Sequence, residues 1–181
     1  MIKKFLVAAL TAVVFASSAE ALSVKHDFTA FVGPFNASTA EFEYTLTKKS
    51  YAVRSVVRTN GTFGFLYPFE ANYYTGGSIE GDRLETSAYR YTSQSRFNKR
   101  SKVMIYNEDG QPVFAVSSKN GREKKKEIEA TADSKNTTNL QTVLAAIARQ
   151  YNQVGFCDSR IPIFDGKRRF DAIFRDEGKK R

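Results

Sequence analysis

Few residues in this chain have both the type and the spacing for chemistry. There is one histidine, His26, and one cysteine, Cys157. A Ser-His-Asp or Cys-His arrangement would have to use His26, and nothing near it in sequence completes such a set. The ligands for a zinc site are missing, as are Gly-rich loops that cradle phosphate. Glu41 and Glu43 share a strand face and could form a carboxylate pair, but alternation puts them on the polar side, opposite Phe42 and Tyr44. No enzyme, no cofactor and no metal is expected. Two features remain. Phe63, Phe65, Leu66, Tyr67, Phe69, Tyr73 and Tyr74 form an aromatic cluster broken by Gly61, Gly64 and Pro68. Such side chains can line a cavity for a lipid-like ligand; they can equally fill a core. Near the C-terminus, Asp165-Gly166-Lys167-Arg168-Arg169 leads to Asp171. Its cations could hold a phosphate or carboxylate. In an extended strand Lys167 and Arg169 point one way and Arg168 the other, so a purely structural hairpin competes with that reading.

The first residues say where these features would act. Lys3 and Lys4 precede an uncharged run from Phe5 to Ala16, followed by Ala19-Glu20-Ala21. These are the three zones of a secretory signal, with cleavage expected after Ala21. The run is shorter than the roughly 20 residues that span a bilayer. Residues 1–21 are thus read as a signal peptide, 22–174 as one exported β-rich domain and 175–181 as a charged tail, located in the periplasm. A lipoprotein is disfavoured because Cys157 lies far from the cut. With one cysteine no internal disulfide can form, and Cys157 is a buried small hydrophobe, a free thiol or half of an intermolecular bond.

Loss of Lys3, Lys4 and Glu20 takes the formal charge from +9 to +8. A basic balance favours anionic partners. Export makes those partners lipid head groups, envelope phosphates or a protein, and not nucleic acid. The basic runs Arg96 to Lys102 and Arg122 to Lys126 could bind a polyanion, or serve as solvated loops.

The elements that must position these residues are mostly strands. Ala40, Phe42, Tyr44 and Leu46 alternate with Glu41, Glu43, Thr45 and Thr47, the pattern of a half-buried strand. Tyr51, Val53 and Val57 face away from Arg54 and Arg58, making a hairpin across Lys48 to Ser50. Further strands are expected at Phe28 to Val32, Ala71 to Thr75, Leu84 to Tyr91, Lys102 to Tyr106, Val113 to Ser118 and Glu127 to Thr131. Asp165-Gly166 predicts a two-residue turn. Leu140, Val143, Leu144, Ile147, Ala148 and Tyr151 form one helical stripe, capped by Thr138 or Asn139 and ended by Gly155. The expected fold is mainly β (α+β): a curved antiparallel sheet with one main amphipathic helix packed on it.

The export signal, the Gly-rich aromatic middle, the single helix and the run Phe164-Asp165-Gly166-Lys167-Arg168-Arg169-Phe170-Asp171 together resemble a bacterial family called domain of unknown function 3108. Its members often end in a similar hairpin preceded by a Cys or Gly segment, as in Gly155-Phe156-Cys157-Asp158, and have a small, apolar middle like Thr59 to Tyr67. The resemblance covers nearly the whole exported part; Lys167 stands where Arg is usual. It implies an exported protein with an incomplete barrel similar to periplasmic lipoprotein carriers, and it carries no activity. The expected function is a non-enzymatic binding or carrier module for an apolar or amphipathic, anionic envelope ligand. The alternative is a structural or interaction protein supporting envelope integrity without a small ligand.

Overall fold

A computed structural model describes residues 21–129, 131, 134, 136–166 and 168–178. The expected signal peptide, Lys167 and the end of the charged tail lie outside the described residues. Eight antiparallel strands follow one another as an open meander: β1 (Leu22–Val32), β2 (Phe35–Leu46), β3 (Ser50–Thr59), β4 (Phe69–Glu80), β5 (Arg83–Ser95), β6 (Lys99–Tyr106), β7 (Pro112–Lys119) and β8 (Arg122–Glu127). A short helix, α1 (Gly61–Leu66), interrupts the β3–β4 connection. After β8 come the main helix α2 (Leu140–Val154) and a separate hairpin, β9 (Ser159–Phe164) and β10 (Arg169–Phe174). The sheet is curved, as expected, and does not close, as the family resemblance implies.

Register follows from the alternation. Tyr44 pairs with Val53 and Leu46 with Tyr51, so the apolar sets of β2 and β3 share one face. Thr47 tightens their turn by receiving the Lys49 and Ser50 amides on its hydroxyl. Between β7 and β8, Asn120 and Gly121 both take positive φ, 51° and 82°. This is the geometry of a two-residue hairpin turn, and it forces Lys119 to pair at once with Arg122. The strand expected at Glu127 to Thr131 therefore forms earlier, on the charged run itself. Charged edge strands of this kind discourage further pairing.

Two other expectations change. Phe164 pairs with Arg169, and Asp165 N–H donates to the Arg168 carbonyl at 3.2 Å, so Asp165-Gly166 is not the two-residue turn expected. Asp165 shapes the hairpin loop: its carboxylate accepts the Arg168 amide at 2.9 Å, and Gly166 takes φ 92°. On α2 the capping residues are as expected, Asn139 at the start and Gly155 (φ 78°) at the end. The face that docks is only in part the expected stripe, which contributes Val143. Gln141, Thr142, Val143 and Ala145 are buried, while Leu140 and Tyr151 remain 55% and 58% exposed. The rotation is set by polar contacts beneath the helix.

Two apolar clusters hold the layers together. Tyr51 and Val53 pack with Ala145 of α2, flanked by Tyr44, Leu46, Ile79 and Leu84. Met104, Tyr106, Ala115 and Ile128 pack with Phe164 of the hairpin, flanked by Tyr89. Both additions sit on the same sheet face. Below, this is called the helix-bearing face, and the opposite one the outer face.

Candidate functional site

Alternate strand residues point to opposite faces, so the register assigns every strand side chain. Part of the helix-bearing face is sealed by the start of α2. The Tyr51 hydroxyl lies 3.0 Å from Thr86 Oγ1 and 2.8 Å from Thr142 Oγ1, and these threonines are 2.9 Å apart. Asn139 Nδ2 donates to Thr75 Oγ1 at 3.1 Å and to Thr142 Oγ1 at 3.0 Å, while its Oδ1 caps the helix by accepting the Thr142 amide. Ser55 donates to Gln141 Oε1 at 2.6 Å. All of these groups are buried. A satisfied buried network fixes orientation, which explains why α2 presents Thr142 and not Leu140 to the sheet. Next to this network the Tyr106 hydroxyl is buried beside Asn139 and makes no hydrogen bond of acceptable geometry among the described residues. Burial pushes the Tyr51 and Tyr106 phenols up from their ordinary pKa, so both remain neutral donors.

From here α2 runs toward the β4–β5 turn, where Arg149 donates to the Gly81 carbonyl at 2.8 Å. The rest of the helix-bearing face, toward the β3–β4 connection, is only partly covered. Its floor is aromatic. Tyr73 and Tyr91 stack with ring centres 5.0 Å apart, and Phe28 meets Phe42 edge-on at 5.5 Å. In register Ser55, covered by Gln141 of α2, lies between Phe42 and Tyr73, and Val57 and buried Ala71 continue the adjacent row from Phe28 and Ala40. Phe28 is 55% exposed; Phe42, Val57, Tyr73 and Tyr91 are half-buried. Burial also raises the Tyr73 pKa.

Beside that floor, the same face turns cationic. Arg100 and Lys102 of β6, Lys119 of β7, and Arg122, Lys124 and Lys126 of β8 are placed on it by pairings such as Tyr91 with Lys102 and Ser117 with Lys124. Every carboxylate within β1 to β8 falls on the outer face: Asp27, Glu41, Glu43, Glu70, Glu80, Glu85, Glu123 and Glu127. Several neutralise outer-face cations, as in Arg58 with Glu41 and Glu70, Lys25 with Glu41, and Lys125 with Glu123. Among the described residues, Arg100, Lys119, Arg122, Lys124 and Lys126 take part in no ion pair. A one-sided charge distribution of this kind attracts anions.

The C-terminal hairpin borders the cations. Lys102 Nζ donates to the Asp165 carbonyl, and a Cβ on Gly166 would come within 2.6 Å of that nitrogen. The loop carrying Arg168 thus meets β6 where the aromatic floor gives way to lysines. Its family motif now stands in a geometric setting, and a family model described as "Protein of unknown function (DUF3108)" matches residues 27–181. The chain belongs to the DUF3108 family. No curated protein and no solved structure matches it.

In this DUF3108 protein the aromatic cluster noted in sequence is divided among three places. Phe69 and Tyr73 lie on the helix-bearing face. Tyr74 lies on the outer face, folded over Gly76. Phe63, Phe65, Leu66 and Tyr67 belong to α1 and its exit, with Phe65 and Tyr67 77% and 71% exposed. They do not line one cavity. In the hairpin, Asp171 pairs with Arg160 at 2.8 Å from Nε, and Asp165 serves the loop. Glu41 and Glu43 lie on the outer face, as expected, and Cys157 is half-buried beside the Ile147 carbonyl. The cations of β8 form a strand in place of the solvated loop that the run Arg122 to Lys126 suggests. Its period-2 order, Arg122-x-Lys124-x-Lys126 against Glu123 and Glu127, was the available signal. A larger cleft of about 610 Å3 opens elsewhere, beneath α1 and around the Arg58–Glu70 pair. Arg96 and Lys99 line it beside that pair, so it too is net cationic, but Pro68 and Phe69 are the sole large apolar side chains in its lining.

Proposed function

We propose that this chain is a non-enzymatic binding or carrier protein of the cell envelope, exported through residues 1–21. It holds an anionic amphiphile on the uncovered part of the helix-bearing face. The apolar portion of the ligand lies over Phe28, Phe42, Tyr73 and Tyr91, and its anionic head meets Lys102, Lys124 and Lys126. The observation that carries this reading is the pairing of a partly exposed aromatic floor with cations on a sheet face where β1 to β8 place no carboxylate. Ligand pockets combine such apolar area with a few charged groups that set orientation.

Native mass spectrometry of protein released gently from the envelope tests the proposal. A co-purifying amphiphile that exchanges with added phosphatidylglycerol is expected. Clean unliganded protein that takes up no lipid from vesicles would overturn it, and would leave the ligand-free structural role.

A further inference from the structure

The meander has two ends, and they differ in kind. At one end the chain turns at Thr47 to Lys49, Gly81-Asp82 and Asn107 to Gln111. Those turns carry Lys48, Lys49, Asp82, Glu108 and Asp109 and no large apolar side chain. At the other end lie the β1–β2 turn, the α1 connection, the β5–β6 turn and the β7–β8 turn, none with an acidic residue. Here Phe31 and Phe35 are 64% and 57% exposed, Phe65, Leu66 and Tyr67 are 77%, 51% and 71% exposed, and Phe97 is 79% exposed. Arg96, Lys99, Lys119 and Arg122 rise among them, all exposed.

These tips are held as one unit. Asn60 N–H donates to the Ala37 carbonyl at 3.0 Å, tying α1 to β2. Thr59 receives the Phe69 amide and donates to the Tyr67 carbonyl, each at 2.9 Å. Arg96 donates to the Phe65 carbonyl at 2.9 Å, and Asn120 accepts the Lys99 amide at 2.7 Å. Exposing several aromatic tips on a braced surface is costly in water unless something covers them. Aromatic and aliphatic tips ringed by cations suit the interface of a negatively charged bilayer, where rings enter the headgroup boundary and cations meet lipid phosphates.

We propose that this end of the sheet docks on an anionic lipid surface. The partner is identified by charge: Arg96 in a turn and Lys99, Lys119 and Arg122 at the adjoining strand ends are exposed cations, and these turns hold no carboxylate, against a mixed and hydrophilic opposite end. Lys119 and Arg122 stand at the edge of the cationic face described above, but this end uses none of the residues assigned to the amphiphile and does not depend on that reading.

Flotation with vesicles tests it, using protein that begins at Leu22, which contains every described strand and helix, with folding checked by circular dichroism. Binding to vesicles containing phosphatidylglycerol should exceed binding to pure phosphatidylcholine vesicles by about tenfold or more, and should weaken with salt. Phe65→Ser with Phe97→Ser should lower the partition coefficient by about tenfold, as should Lys99→Glu with Arg122→Glu. Phe156→Ser, an exposed aromatic past the end of α2, should leave it unchanged. Absence of binding at low salt, or binding indifferent to the tip variants, would overturn the proposal. So would concentration-dependent self-association abolished by the tip variants without vesicle binding, which would make the occupant a second copy. Uptake of a monomeric anionic amphiphile should survive Phe65→Ser with Phe97→Ser, which separates this result from a failure of the ligand reading.

Discussion

Two chemically identical substitutions should act in opposite directions. Tyr51→Phe removes a hydroxyl 2.8 and 3.0 Å from two buried threonines. A hydrogen bond in such a setting contributes about 1 kcal/mol net. Thr86 and Thr142 keep their mutual 2.9 Å contact, so the loss is about 1–2 kcal/mol. Tyr106→Phe removes a buried hydroxyl with no hydrogen-bond partner among the described residues. Relieving that desolvation should raise stability by about 1 kcal/mol, because the ring keeps its packing against Met104, Ala115 and Phe164. For a domain of this size each kcal/mol moves Tm by about 2–4 °C. Urea and thermal melts of the two variants beside the parent provide the assay. Equal losses in both would refute the reasoning, because they would mean that the Tyr106 hydroxyl is satisfied and that the network extends further.

Burial raises the pKa of Tyr51, Tyr89 and Tyr106, so the native state keeps these phenols protonated while the unfolded chain ionises near pH 10. Urea midpoints should therefore be flat in this respect below about pH 10 and fall above it, with a shallower fall in Tyr106→Phe. Gly77→Ala should destabilise by about 3 kcal/mol or prevent folding, since its Cβ would stand 1.9 Å from the Glu85 carbonyl oxygen across the β4–β5 bulge; soluble yield and urea melts measure this. Asp171→Asn breaks only a partly exposed pair with Arg160. It should cost less than about 1 kcal/mol in a urea melt and leave amphiphile affinity unchanged in a titration.

The sheet was legible because its strands alternate over long stretches; Ala40 to Leu46 and Tyr51 to Val57 define their own faces. The edge strand β8 was harder to see, because Lys124 and Lys126 hide a period of two inside a charge run and only the Asn120-Gly121 turn reveals it. The docking face of α2 was misread because apolar periodicity counts Leu140 and Tyr151 but not Thr142, whose burial depends on Thr86 and Tyr51 far away in sequence. The aromatic cluster was legible as composition only. Adjacent residues Tyr73 and Tyr74 fall on opposite faces, and no local count shows that α1 projects Phe65 and Tyr67 outward. Proximity of the hairpin loop to Lys102 is a long-range contact with no sequence signal at all.

The most direct test of the proposed binding face compares two single-chain amphiphiles below their aggregation limits. They are lysophosphatidylglycerol, which is anionic, and lysophosphatidylcholine, which is zwitterionic. Titration calorimetry would follow the parent protein and the variant Lys124→Glu with Lys126→Glu, both on the exposed edge strand where folding is least at risk. The parent should bind the anionic lipid about tenfold or more tighter, a difference of about 1.4 kcal/mol, and the variant should lose or reverse that preference while still binding the zwitterionic lipid. Equal affinity of the parent for both lipids, or a preference that survives the double substitution, would contradict the assignment of the cationic strands to the ligand head group.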